Sequence, residues 1–461
     1  MDMFLSWWNY TERKEKFIQI LVFFLIFGAS LDLKGWLFGT PMTLASLLII
    51  YDCIKQKSLA GLYLPVRYWL GFAVFMGTVL LASVLLGDKP SIHMALQNVY
   101  WCLPFIVATY LGKQANIKYA VLLGAMASVL VSSVDLLYLS YYLGAKGRLG
   151  AFGKHPNGYA ILLLGVLPVV FAAFKDDRIQ NTKKLCFLQG IIAILGLWSL
   201  WKTGSRGGII GFFAGGILSY GVLCFYRKQF KQFLSGFTVC VAVGAFLLLS
   251  IVQGQNRGFI DTGRLRMLKS SYAMWQDHKL TGVGLANWHK EYVANYLLKG
   301  EIEAEALQRY QTWKKDMEQR EAAAAQKAEA EREAKQIAAW KQAAIKYATT
   351  EHIMPHNVMA WFFSTTGSIG GFGYLFFVCW YSWMFFKTMK RSDVSWIDTV
   401  GFWIFLAITF HGMLDAGIIH KDVARLLYLV MGLSIGCYCR TDRKQLSKDS
   451  VCNACGISSV Q

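Results

Sequence analysis

Long apolar stretches recur along almost the whole chain, and short polar connections separate them. Crossing the ~30 Å hydrocarbon core of a bilayer takes roughly 20 apolar residues, and every backbone amide inside lipid must be hydrogen-bonded internally. The pattern therefore predicts an all-α polytopic membrane protein with about 12 transmembrane helices. We expect the spans near residues 17–31, 36–54, 67–87, 92–111, 118–143, 158–174, 185–201, 206–226, 233–251, 357–386, 396–416 and 422–438.

The composition agrees with a membrane protein and argues against binding to nucleic acid. Of the 461 residues, 55% are hydrophobic and 15% are aromatic, and the mean hydropathy is +0.38. The net charge of +19 comes from basic residues in the short connections rather than from one folded face. This distribution is typical of the positive-inside rule and of attraction to anionic cytoplasmic lipids. We therefore expect membrane lipids as partners and no nucleic acid.

The distribution of Lys and Arg between alternate connections predicts the orientation. One set, which includes both termini, carries 22 of these residues, whereas the opposite short connections carry 8. The richer set is cytoplasmic by the positive-inside rule. Both termini are then expected in the cytoplasm, and the first span is expected to stay as an anchor, because no small-residue cleavage site follows it.

The long segment between spans nine and ten falls on the other, periplasmic side. We expect transmembrane helices over 1–251, a periplasmic loop subdomain over 252–355, transmembrane helices over 356–438 and a cytoplasmic tail over 439–461.

Part of this loop is expected to form a long helix. From Glu301 to Tyr347 it contains no Gly or Pro and is rich in Ala, Glu, Lys and Gln. Acid-first pairs such as Glu305 with Arg309 support the helix. We expect a solvated lid or arm that packs by its two apolar ends, with direct substrate contact as the alternative. Its two apolar stripes are Leu307, Tyr310, Trp313 and Met317, and Ile337, Trp340, Ala344 and Tyr347.

Polar residues cluster at the predicted outer ends of the helices, and the first cluster runs from Arg148 to Gly158. Its glycines let the backbone approach a ligand. Asn157 and Gly158 are in position to begin the next helix with amides that point outward. A re-entrant turn with a cation in the headgroup region is the alternative.

The second cluster, Lys202 to Gly208, lies between two spans that leave almost no loop. Arg206 must therefore lie at the mouth of a helix, beside a helix N-terminus. Both features favour an anion, above all phosphate, which a guanidinium grips with two parallel hydrogen bonds. An arginine that snorkels to the membrane interface is the alternative.

Two further clusters flank the long loop. Arg264 and Arg266 open a predicted amphipathic helix, where a bound anion would offset the unfavourable meeting of a cation with the helix dipole. An ion pair of Arg264 with Asp261 is the alternative. His356 and Asn357 lie where the loop re-enters the membrane, and a histidine there can exchange a proton with an attacking hydroxyl.

The remaining candidates predict structure rather than chemistry. His411 and Asp415 are expected to share one helix face near the outer end of the eleventh span, within an ion-pair network. Cys452 and Cys455 form an isolated Cys-x-x-Cys pair, and a zinc site would need two further ligands nearby. We therefore expect no metal site.

Together these elements resemble the O-antigen ligase superfamily, which also contains O-antigen polymerases and bacterial O-oligosaccharyltransferases. The resemblance runs from about Arg148 to the last span, and the first five spans match only as hydrophobic helices. The long Ala/Glu/Lys arm departs from the family pattern. The motifs that carry the resemblance are Gly153–Gly158, Ser205–Gly207, Gly263–Arg264, Thr281–Gly284 and His356–Asn357.

The resemblance implies an enzyme with an undecaprenyl-diphosphate-linked glycan as donor and without a cofactor. Arg206 and Arg264 would hold the diphosphate, and His356 would activate the acceptor hydroxyl or orient the donor. These three are expected to meet in one periplasmic pocket. Further donor-binding candidates are Arg148, Asn157 and Arg266, and candidate supporting residues are His155, Asn357, His411 and Asp415.

The expected function is that of an O-antigen ligase in a bacterial inner membrane, with lipid A–core as acceptor. A polymerase that extends the glycan on a second carrier would use the same donor chemistry. A polysaccharide transporter or flippase is the alternative of another class. Transporters place ionisable residues near the midplane of the membrane, whereas here they gather at the predicted outer surface.

Overall fold

In a computed structural model, the residues that the structure describes fold mainly into helices. The described residues are 13–31, 35–176, 182–255, 262–318, 329–350, 354–391, 394–415 and 417–454, and no strand occurs among them. The α-helices are α1 Arg13–Leu31, α2 Gly35–Gln56, α3 Val66–Leu86, α4 Lys89–Tyr100, α5 Leu103–Gln114, α6 Lys118–Leu137, α7 Pro156–Leu164, α8 Leu167–Ala172, α9 Lys183–Lys202, α10 Arg206–Tyr226, α11 Phe230–Gln255, α12 Thr262–Asp277, α13 Trp288–Glu291, α14 Lys299–Glu318, α15 Glu329–Thr350, α16 Val358–Met389, α17 Trp396–Leu414 and α18 Lys421–Ala454.

Within the described ranges, eleven helical stretches are long and apolar enough to cross a membrane. They correspond to the second to twelfth predicted spans, so the all-α polytopic class is confirmed. The first predicted span falls on α1. The first four residues of α1 are charged, and the apolar part of this helix covers only 17–31.

Two of the predicted spans, 92–111 and 158–174, are each divided into two helices. α4 gives way to α5 just before Pro104, and α7 gives way to α8 just before Pro168. Proline lacks an amide hydrogen and its ring clashes with the preceding turn, whereas the first turn of a helix accepts it. Each proline therefore marks the start of a new helix.

The chain forms two compact units. The first unit contains Met1–Val74, Gln97–Arg257 and Phe376–Gln461, and the second unit contains Phe75–Leu96 and Gly258–Leu375. The first unit therefore holds most of the membrane-spanning stretches. The second unit holds α12 to α15 together with parts of α3, α4 and α16.

Glycines bring helices of the first unit into backbone contact. A Cβ at Gly211 would lie 2.5 Å from the carbonyl oxygen of Ala407, and one at Gly432 would lie 2.5 Å from that of Phe105. Small residues of this kind let membrane helices approach closely, where packing rather than the hydrophobic effect drives association. α10 therefore packs tightly on α17, and α5 on α18.

The two ends of α10 lie among different connections. Beyond its C-terminal end, Arg227 donates to the carbonyl of Val394 at 3.1 Å, and Trp396 donates through Nε1 to Asp176 at 3.0 Å. These contacts gather three connections of the lysine- and arginine-rich set. The opposite end of α10 carries the candidate site residues of the first unit.

In the second unit, the Ala/Glu/Lys arm is a pair of antiparallel helices, α14 and α15. The ring of Trp313 lies 6.5 Å from that of Trp340, and Lys314 pairs with Glu333 at 2.8 Å. The described parts of the arm are helical. The described arm contains two helices, and Tyr310 and Trp313 of the first pack on Trp340 of the second.

Candidate active site

Two helix N-termini meet at one end of the first unit, and Arg148 joins them. Its Nε donates to the carbonyl of Thr203 at 3.0 Å, just before α10, and its guanidinium also donates to Oδ1 of Asn157, in the first turn of α7. The backbone adds a further link, since the amide of Leu149 donates to the carbonyl of Lys202 at 3.0 Å. The first two sequence clusters are therefore one assembly.

Arg206 is the first residue of α10. The hydroxyl of Ser205 caps the helix by accepting a hydrogen bond from the amide of Gly208 at 3.2 Å, and Gly204 makes the preceding turn with a φ of 59°. A helix N-terminus carries about half a positive charge on its unpaired amides. With the half-buried Arg206 at this end, α10 begins in an electropositive site that suits an anion.

His155 caps the neighbouring helix α7. Its Nδ1 accepts a hydrogen bond from the amide of Asn157 at 3.3 Å. The side chain of Asn157 is bonded to Arg148, and the residue is only 8% exposed. Both residues therefore organise the start of α7, beside the arginine that reaches across to α10.

His411 lies against the first turn of α10. A Cβ on Gly207 would lie 3.5 Å from Cδ2 of His411. Asp415 is buried as well, but it lies beyond the end of α17 at Leu414, with extended backbone angles. The amide of Asp415 still donates to the carbonyl of His411 at 2.8 Å, so the two residues lie one helical turn apart, and their shared face stays a prediction.

In the second unit, Arg264 lies in the first turn of α12 and is half-buried. Asp261, its alternative ion-pair partner, lies outside the described residues. Arg266 forms an ion pair with Glu305 of the arm, which also accepts a hydrogen bond from the hydroxyl of Thr262 at 2.9 Å. The start of α12 is thus attached to α14.

Glu305 is the centre of this ionic cluster. It also pairs with Arg309, four residues later, at 2.6 Å. Burial raises the pKa of the Glu305 carboxyl, but the hydrogen bonds from Arg266 and Thr262 and the charges of the two arginines outweigh burial, so the pKa lies below its ordinary value of 4.5. A diphosphate would therefore have to compete with an ionised Glu305 for Arg266.

His356 lies just before α16 in a strained backbone conformation. Its φ is 44°, in the left-handed region that residues other than glycine rarely adopt. Asn357 caps the helix, because its Oδ1 accepts a hydrogen bond from the amide of Ala360 at 2.9 Å. Such strain persists where the surrounding structure enforces it, and it is frequent at active sites.

Each unit thus presents an arginine at a helix N-terminus, Arg206 on α10 in the first and Arg264 on α12 in the second. The second unit adds His356 ahead of α16. Fixed guanidinium groups and helix dipoles stabilise negative charge that develops during a reaction, and imidazole exchanges protons near neutral pH. These groups suit a transfer from a phosphorylated donor.

Residues 191–314 match a family model described as O-antigen ligase. The match supports the O-antigen ligase superfamily. It confirms the resemblance inferred from the sequence motifs. A search among curated proteins finds no match.

The O-antigen ligase match indicates a membrane glycosyltransferase of the ligase or polymerase type, which acts on lipid-linked glycans. The matched segment contains Arg206, Arg264 and Arg266. His356 lies beyond it, so its place among the candidates depends on its chemistry and its position before α16.

Two groups that organise these sites are not apparent from the sequence. Thr203 takes part through its main-chain carbonyl, which every residue type possesses. The helical pair of Glu305 with Arg309 is visible as spacing, but the bond from Arg266 to Glu305 joins positions 39 apart in the chain. Only the packing of α14 against α12 brings them together.

Proposed function

We propose that this chain is an O-antigen ligase, which moves a glycan from undecaprenyl diphosphate to a hydroxyl of lipid A–core on the periplasmic face of a bacterial inner membrane. The observation that carries the proposal is an arginine in the first turn of both α10 and α12, inside the segment that matches the O-antigen ligase family. The proposed reaction uses no metal ion or other cofactor.

In this reaction the oxygen of the acceptor hydroxyl forms a bond to the anomeric carbon of the donor sugar. The bond from that carbon to the bridging phosphate oxygen breaks, and its electron pair leaves with undecaprenyl diphosphate. Arg206 and Arg264 stabilise the charge that grows on the bridging oxygen, and fixed cations do so most strongly in the transition state. His356 takes the hydroxyl proton or, in its other role, orients the donor while the proton passes to water.

The other candidates have supporting roles in the proposal. Arg148 and Asn157 bind the donor and hold the start of α7 against the turn before α10. Arg266 contributes only in competition with Glu305. The remaining candidates maintain the geometry of the site. His155 and Asn357 do so as caps of α7 and α16, and His411 and Asp415 do so as buried residues at the end of α17.

We assign the donor site to the periplasmic side and both termini to the cytoplasm. This assignment is supported by the 22 Lys and Arg residues in the other set of connections, against 8. The contact of Arg227 with Val394 joins two connections of that richer set, and it lies at the opposite end of α10 from Arg206.

The test is a reconstituted transfer reaction with two competing acceptors. The purified protein is given undecaprenyl-diphosphate-linked glycan together with lipid A–core and a second carrier-linked unit. Glycan on lipid A–core is the expected product, whereas growth of the glycan on its carrier would make the protein a polymerase. Movement of the intact donor across a vesicle membrane, with no new glycosidic bond, would make it a transporter.

Arg227→Ala is the matched control for Arg206→Ala. Both arginines flank α10, one at each end, so loss of either charge perturbs the same helix. The proposal requires the Arg206 variant to lose transfer and the Arg227 variant to keep it. Equal losses in the two variants would show that the effect is structural.

A further inference from the structure

Helix α16 is broken at Gly367, where φ is 60° and ψ is −159°. This conformation is essentially restricted to glycine. The 32 residues of α16 would measure about 48 Å, whereas the part after Gly367 measures about 33 Å and by itself covers the ~30 Å hydrocarbon core. The part before the break, Val358–Thr366, is therefore not needed to cross the membrane.

The connection that follows α12 supplies hydrogen bonds to the first side of the break. The amide of Val283 donates to the carbonyl of Ser364 at 2.9 Å, and the amide of Gly284 donates to that of Thr365 at 2.8 Å. In an unbroken helix, carbonyls at these positions would bind amides one turn later. The connection takes the place of that turn.

On the second side of the break, amides of α16 donate hydrogen bonds and carbonyls of the connection accept them. The amide of Ser368 donates to the carbonyl of Lys279 at 2.7 Å, and the amide of Ile369 donates to that of Leu280 at 3.3 Å. Main-chain bonds therefore tie one connection to both sides of the break.

This close approach requires glycine on both partners. A Cβ at Gly282, where φ is 66°, would lie 2.4 Å from the carbonyl carbon of Thr365. A Cβ at Gly367 would lie 2.2 Å from the carbonyl oxygen of Leu280. Side chains at these two positions would collide with main chain, which cannot move aside as a flexible side chain can.

The same bonds argue against a phosphate-binding role for the Thr-Gly-Val-Gly motif. An anion-binding nest needs consecutive amides that point at the ligand. Here the amide of Gly282 donates to the carbonyl of His278 at 2.9 Å, and those of the next two residues bind α16. The motif is bonded to the protein itself.

We infer that Thr281–Gly284 is a main-chain clamp that fixes α12, which carries Arg264, relative to the start of α16, which follows His356. All of these residues belong to the second unit. Trp275 of α12 reinforces the clamp, because its Nε1 donates to the hydroxyl of Ser368 at 3.1 Å. The clamp glycines are thus positioning residues, and their effect on transfer rests on the proposed function.

The test measures geometry first, on the full chain. Spin labels at Leu268, exposed on α12, and at Met359, half-buried at the start of α16, report the distance between the two helices by pulsed electron resonance. The labels require a background without native cysteines. Gly282→Ala and Gly367→Ala are expected to shift or broaden the distance distribution. Gly300→Ala is the matched control, because a Cβ there meets nothing within 4 Å.

Kinetics give the second measurement. A misplacement of about 1 Å at a reacting centre can cost roughly 100-fold in rate, so kcat is expected to fall by about that factor in Gly282→Ala and Gly367→Ala. The KM for the donor is expected to change less than kcat, because fixed cations stabilise the charge of the transition state more strongly than that of the bound donor. Gly300→Ala is expected to match the wild type.

The outcomes separate the clamp from the proposed function. Unchanged distances in both clamp variants overturn the clamp. Changed distances with a wild-type kcat overturn its role in positioning groups for transfer. Absence of transfer in the wild type overturns the proposed function, while the distances still test the clamp. If either variant fails to fold, Ser368→Ala replaces it, because it removes the hydrogen bond from Trp275 without placing a Cβ in the left-handed region.

Discussion

Arg148 donates a hydrogen bond to Oδ1 of Asn157, and this bond ties the loop before α7 to the first turn of that helix. Asn157 is only 8% exposed. Removing the guanidinium would leave a buried acceptor without its partner, at a cost of roughly 1–3 kcal/mol. The same guanidinium holds the carbonyl of Thr203, so the starts of α7 and α10 depend on one side chain.

Asn157→Asp separates the structural role of this pair from its role in donor binding. A carboxylate at a helix N-terminus, bonded to Arg148, is favourable for folding, but it repels a diphosphate. We expect the melting temperature of the purified protein to be kept or raised, and transfer to fall by at least roughly 10-fold, equivalent to 1.4 kcal/mol. Wild-type transfer at an unchanged melting temperature would remove Asn157 from the donor site.

Arg206→Lys tests whether the shape of the cation matters. Lysine keeps the charge but lacks the planar fork that binds two phosphate oxygens at once. We expect Arg206→Ala to lose roughly 100-fold in transfer, the scale of a lost transition-state donor, and Arg206→Lys to lose less but to remain impaired. Initial rates at saturating donor give the comparison. A fully active Lys variant would contradict bidentate binding.

Substitutions at His356 separate backbone strain from chemistry. Asparagine tolerates the left-handed φ of 44° found there, whereas a β-branched valine does not. We expect His356→Asn to fold normally and to lose transfer, and His356→Val to lose both melting temperature and transfer. The exposed His93 provides the control, His93→Ala. An active His356→Asn enzyme would exclude the imidazole from the reaction.

The ionic cluster around Glu305 predicts a pH-dependent stability. Because the pKa of Glu305 is lowered from its ordinary value of 4.5, its contribution is fully present above that pH and is lost as the pH falls below it. The melting temperature of the wild type should exceed that of Glu305→Gln at pH 7, and the difference should shrink in acid. Glu301→Gln, which removes an exposed pair with Lys269, is expected to change little at either pH.

The sequence predicted the helices and several of their starts, because these depend on local chemistry. Apolar length determines a span, and the residues around Arg206 leave no room for a loop between two spans. The same kind of local evidence also divides the spans at Pro104 and Pro168, since proline favours the first turn of a helix. These features need no knowledge of distant residues.

The remaining features depend on contacts that local patterns do not contain. The break at Gly367 exists because the connection after α12 supplies its hydrogen bonds, and the sequence indicates only a glycine-rich aromatic run there. Likewise, α17 ends at Leu414 although the apolar pattern continues past it. The arm pairs with itself because Trp313 meets Trp340.

Single-turnover transfer by the Arg206→Ala, Arg264→Ala and His356→Ala variants tests the central claim most directly. Each variant is reconstituted with undecaprenyl-diphosphate-linked glycan and lipid A–core, beside wild type and Arg227→Ala at matched melting temperature. The three variants are expected to form product at least roughly 100-fold more slowly than wild type and Arg227→Ala. Product at the wild-type rate from all three would contradict the central claim.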